Sequence, residues 1–77
     1  MCGIVGITSK ASNACLSINN ALTVIQHRGQ DAAGMAVVDN SGFLSTHKST
    51  GLVRDVFKED EMMRLKGTSG IGHVRYP

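Results

Sequence analysis

Apolar and polar positions follow two periods along this chain, and the changes between them mark the elements. Gly3-Ile4-Val5-Gly6-Ile7 is a β-branched run and predicts a short buried strand. Its two glycines predict close approach by another part of the molecule. Positions 8–13 are polar and predict a loop, in which Ser12 or Asn13 can cap a helix. Cys15, Ile18, Leu22 and Ile25 then recur at spacings of 3, 4 and 3, which is one face of an α-helix. Ser17, Asn20 and His27 fall on the other side, and Gly29 is placed to stop the helix in a left-handed conformation.

Gly34-Met35-Ala36-Val37-Val38 is continuously apolar and predicts a strand covered on both faces. Asp39-Asn40-Ser41-Gly42 is a turn cluster. Positions 43–49 can return as the antiparallel partner, and their poor alternation predicts an edge strand. Short helices are expected at 51–57 and 60–65, with Gly67 as a stop. Positions 71–76 alternate as a strand does, with Ile71, His73 and Arg75 on one face and Gly72, Val74 and Tyr76 on the other. The chain stops at Tyr76-Pro77 without a closing element, so that polar face is expected to be covered or used by something further on.

Composition narrows the classes. The 77 residues have room for one domain. An apolar share of 42% with only 18% charge excludes a disordered tail. An aromatic share of 4% leaves few large core anchors, and two Cys without a CxxC pair provide no staple. These features together predict a piece of a larger domain, poorly stable by itself. The net charge is +2 and its basic residues are scattered, which excludes a nucleic-acid stripe. No apolar run approaches the ~20 residues that span a membrane. Cys2 to Ile7 lacks the basic start of a secretion signal, and sparse Cys suits a reducing cytoplasm. The direct adjacency of Met1 and Cys2 argues against a longer cleaved propeptide.

The candidate chemistry starts at that adjacency. Removal of Met1 would give Cys2 a free α-amino group beside its own thiol. An amine with an ordinary pKa of about 7.7–8.0 can take the proton of a thiol with one of about 8.5. This joins nucleophile and base in one residue. Taken alone, Cys2 is better accounted for as an ordinary small residue than as a nucleophile, and Cys15 on the apolar helix face as core. His27, His47, His73, Cys2 and Cys15 show no metal-ligand spacing, so no metal site is expected. His27-Arg28-Gly29-Gln30-Asp31 lies in a loop between helix and strand. Arg28 or Arg75 can grip a carboxylate with two donors, and Arg28 is expected rather to pair with Asp31 and shape the loop.

Three stretches then carry a resemblance. Met1-Cys2-Gly3-Ile4-Val5-Gly6-Ile7 resembles the start of the class II glutamine amidotransferases. Gln26-His27-Arg28-Gly29-Gln30-Asp31-Ala32-Ala33-Gly34 and Gly70-Ile71-Gly72-His73-Val74-Arg75-Tyr76-Pro77 resemble their amidophosphoribosyltransferase branch. Relatives that aminate fructose-6-phosphate typically carry Tyr-Arg-Gly-Tyr-Asp-Ser-Ala-Gly in the loop and Thr-Arg-Trp near the end.

The resemblance implies an α/β fold, the αββα sandwich of N-terminal-nucleophile hydrolases, of which residues 1–77 would be the amino-terminal part. It implies that Cys2 attacks the glutamine side-chain amide, that Arg75 binds the glutamine α-carboxylate, and that Arg28, Gly29, Asp31 and His73 support the pocket. It implies ammonia transfer to phosphoribosyl pyrophosphate in a Mg²⁺-dependent domain outside these residues, in a homo-oligomer without nucleic-acid or membrane partners. The family's Asn-Gly oxyanion pair and the Asp that holds the substrate amine are not among the 77 residues. One oxyanion donor is worth ~10²–10³ in kcat, so the isolated chain is expected to be nearly inactive. The alternatives are a non-catalytic remnant that binds a complementing partner, or another class II amidotransferase.

Overall fold

The computed structural model describes residues 2–8, 13–26 and 30–76, and for Cys2 the backbone alone. Its elements run β1 (Cys2–Thr8), α1 (Ala14–Ile25), β2 (Ala32–Val38), β3 (Leu44–Thr50), α2 (Val53–Val56), α3 (Glu59–Arg64) and β4 (Ser69–Arg75). The strands form one four-stranded sheet in the order β1-β4-β2-β3. All three pairings are antiparallel. The last strand therefore enters between the first and second and ties them together.

Alternation divides the sheet into two faces. The inner face carries Val5 and Ile7 of β1, Gly72 and Val74 of β4, and Ala33, Met35 and Val37 of β2. Helix α1 lies on it through Ala14, Cys15, Ile18 and Leu22, all buried, and Val53, Val56, Phe57 and Leu65 complete the core. The expected helical stripe is thus the packing face, although Ile25 is only half-buried. Gly72 permits the contact, because a Cβ there would collide with Ile18 and press on Leu22. Cys15 is core, with its thiol 3.4 Å from the Met62 carbonyl and its pKa pushed up by burial.

Several expectations change. The helices cover one face of β2 only, where Ala33, Met35 and Val37 are buried; on the other face Gly34 is buried beside His73 and Lys48, whereas Ala32, Ala36 and Val38 are half-buried. Of the two glycines in β1, Gly3 has close neighbours in Ile25 and Val74, but a Cβ on Gly6 would meet nothing. Asn13 holds the N-cap position of α1 without a side-chain capping bond. The helix ends at Ile25 on an extended Gln26, short of Gly29, which lies outside the described residues with Ser12, His27 and Arg28.

The turn after β2 forms as expected. Asp39 Oδ1 accepts from the backbone N–H of Ser41 and Phe43 and from the Ser41 hydroxyl. β3 is an edge strand, and β1 is the other. Among the described residues no helix is long and apolar enough to cross a membrane.

Candidate active site

The outer face of the sheet carries the candidate chemistry. In the β1–β4 ladder Cys2 lies opposite Arg75, and Ile4 opposite His73. In the β2–β4 ladder Arg75 lies opposite Ala32, and His73 opposite Gly34. Residues directly opposite one another in an antiparallel pair have Cα atoms about 4.5–5.5 Å apart. The expected nucleophile and the expected carboxylate anchor are therefore cross-strand neighbours, although 73 positions separate them in sequence.

Asp31 fixes the end of β4. Its carboxylate accepts Arg75 Nε at 3.2 Å and an Arg75 terminal nitrogen at 3.1 Å, one on each oxygen. Its backbone N–H donates to the Arg75 carbonyl at 2.9 Å. Backbone and side chain thus bind the same residue, which holds the planar guanidinium in one orientation. The Arg75 hydrogen bonds hold the Asp31 carboxyl below its usual range, partly opposed by desolvation. Arg28, the expected partner of Asp31, is outside the described residues, as is Gly29.

His73 is exposed beside a groove that the sequence reading did not anticipate. β2 contributes Ala32, Gly34 and Ala36 to the outer face, between longer side chains of β3 and β4. Two adjoining depressions of about 210 and 240 Å³ result. The first is floored by Gly34 and Ala36 and flanked by Lys48 and His73. The second extends past Lys48 and His73 to Arg75. A Cβ on Gly34 would lie 2.6 Å from His73 Nε2, so the missing side chain gives the ring its place.

Three residues outside the expected set frame the site. Gln30 is 5% exposed and its Nε2 donates to the carbonyls of Ala32 at 2.9 Å and Gly51 at 2.7 Å. Tyr76 donates its hydroxyl to the Ile25 carbonyl at 3.0 Å, which joins the end of β4 to the end of α1. Gln26 Oε1 accepts the Val53 N–H at 3.4 Å. Both glutamines stand in a polar loop segment, where exposure is the ordinary expectation. No periodicity distinguishes them, and only the third dimension shows one of them buried.

Among the described residues no three His, Cys, Asp or Glu side chains converge to hold a metal ion. His47 is a structural residue. Its Nε2 contacts the Val56 carbonyl at 3.0 Å and its Nδ1 contacts Glu61 at 3.0 Å, linking β3 to α2 and α3.

No family model matches the chain. It is 57% identical over 77 residues to an amidophosphoribosyltransferase of Pasteurella multocida, 58% to that of Pseudomonas aeruginosa and 54% to that of Escherichia coli. Each alignment covers 100% of this chain and 15% of the relative, so the chain spans a small part of their length. Among solved structures, glutamine phosphoribosylpyrophosphate amidotransferase from B. subtilis, complexed with ADP and GMP, superimposes with a TM-score of 0.85 at 38% identity. That match covers 96% of this chain and 16% of the other. In sequence over its whole length, and in fold, the chain is therefore similar to one part of the amidophosphoribosyltransferases.

Proposed function

We propose that this chain supplies the nucleophile and the carboxylate anchor of a glutamine-hydrolysing site. The observation that carries the reading is the register of β1 on β4, with Cys2 across from an Arg75 whose guanidinium is oriented by Asp31. In this reading Met1 is removed and the free α-amine of Cys2 takes the thiol proton. The thiolate attacks the side-chain amide carbon of glutamine. The tetrahedral intermediate expels ammonia, which carries away the proton, and leaves a thioester. Water then adds to the thioester, releases glutamate and restores the thiol. Arg75 holds the α-carboxylate through both steps, while Arg28, Gly29, Asp31 and His73 support the pocket.

In the full-length protein the ammonia passes to phosphoribosyl pyrophosphate and yields phosphoribosylamine. Glutamine and phosphoribosyl pyrophosphate are then its substrates, in a cytoplasmic homo-oligomer. The similarity to amidophosphoribosyltransferases supports phosphoribosyl pyrophosphate as the acceptor, and the buried free thiol of Cys15 suits a reducing compartment.

The test uses the full-length protein that carries these residues. Cys2→Ala is expected to abolish glutamine hydrolysis and to leave synthesis from added ammonia salts intact. Hydrolysis at the unsubstituted rate would refute the reading. Mass spectrometry after treatment with a glutamine-mimicking thiol reagent gives an independent check. Label on Cys2 with Met1 absent is expected; retained Met1 and no label on Cys2 would favour a non-catalytic role.

A further inference from the structure

We infer that Gln30 is a positioning residue for Arg75, an inference that rests on the glutaminase reading and names the side chain that sets its carboxylate anchor. The open end of the β2–β3 hairpin lies here. The ladder finishes at the pair Ala32 and Thr50, and an unsupported hairpin end frays. Gln30 closes it from beneath. The end of its side-chain amide that faces two carbonyls, of Ala32 and Gly51, has to be the nitrogen, since an oxygen there would meet acceptors only. Alongside, the Gly51 N–H donates to the Asp31 carbonyl at 2.7 Å. Gly51 itself has a φ of +127°, a conformation that favours glycine, and it turns the chain out of β3 toward α2.

Asp31 is therefore held from both sides. On one side the buried amide and Gly51 fix its backbone. On the other it presents both carboxylate oxygens to Arg75 and its N–H to the Arg75 carbonyl. The path from Gln30 to the guanidinium contains one residue and no flexible linker. Gln30 touches no substrate in this scheme, and it acts only by keeping Asp31 in register. Its Oε1 is buried without a hydrogen-bond partner among the described residues. An amide retained at that cost is explained by its two donor bonds, because a leucine or methionine of similar size would bury no unpaired oxygen.

The experiment compares Gln30→Met and Gln30→Glu with the unsubstituted full-length protein. Met keeps the volume and removes both donors; Glu keeps the shape and puts an acceptor against two carbonyls. The substrates are glutamine and the glutamine derivative whose α-carboxylate is converted to an amide. For Gln30→Met, KM for glutamine is expected to rise about tenfold with kcat within about twofold. The kcat/KM for the amide derivative should stay at the unsubstituted level, because it has no carboxylate for Arg75 to hold. Gln30→Glu should show the same split. Equal losses on both substrates, or no change in KM for glutamine, would overturn the inference. So would failure of both variants to fold where the unsubstituted protein folds, since Gln30 would then be a general structural residue. Absence of glutamine hydrolysis in the unsubstituted protein would instead sink the glutaminase reading, and is read before either variant.

Discussion

Arg75 carries the most information of any residue in this chain, and its neighbours decide what it does. A lone arginine on a strand has several uses. One met by both oxygens of a carboxylate, with its carbonyl bonded to the same residue, has its plane fixed. Arg75→Lys keeps the charge and loses the planar fork. The Asp31 carboxyl is then expected to titrate closer to its ordinary value of 3.8, read by carboxyl NMR across an acid titration. An unmoved Asp31 titration would show that the guanidinium does not set it. The sign of the pH effect follows from the same contact. Asp31 has a lowered native pKa, so its contribution is complete above the ordinary value and is lost as pH falls through the native one. The Asp31–Arg75 contact should thus be insensitive to pH around neutrality and open only in acid. Cys2, Asp31, His73 and Arg75 were each legible in the sequence because each stands in a motif. The partnership of Asp31 with Arg75 was not, because 44 positions separate the two and only the sheet order brings them together.

At the scale of elements, α1 and β4 determine each other. The 3-4-3 spacing of α1 presents Cys15, Ile18 and Leu22, and β4 meets them with glycine at 72 rather than a side chain. The helix therefore sits close against the sheet. Gly72→Val is expected to overpack this contact and to destabilise by about 1–3 kcal/mol. Ile18→Ala leaves a cavity at the same place and is expected to cost about 2–5 kcal/mol. Urea midpoints measured in the full-length protein check both, and a midpoint unchanged by Gly72→Val would mean that the helix can move away freely. The helix, the hairpin and the last strand were readable because period and turn chemistry are local. Asn13, one of the two expected caps, does hold the N-cap position of α1, but its side chain makes no capping bond. The two-sided burial expected of β2 is met only in part, at Gly34, because an apolar run reports affinity for a core and not how many faces have one.

At the scale of the whole molecule, one sheet and one layer of helices account for all described elements. This is one α layer and one β layer of the four-layer sandwich that the resemblance implies. The inner face holds the core, while the outer face leaves Ile4 78% and Ile71 61% exposed. A single core of this size, with no disulfide among the described residues, gives little margin over conformational entropy. The 77 residues alone are therefore expected to lose their far-UV circular dichroism gradually in urea. A steep cooperative transition at high denaturant would contradict that expectation.

The sequence by itself determined which segments become helix or strand, which helix face packs, and which short motifs carry chemistry. Each of those depends on residues within a few positions of one another. The tertiary structure alone decided that the last strand inserts between the first and second. That insertion sets Cys2 across from Arg75 and sets Asp31 beside it, while the end of the β2–β3 hairpin holds a buried Gln30. Strand order and register come from how distant apolar faces share one core, and no local pattern in a chain encodes which distant strand will be its neighbour.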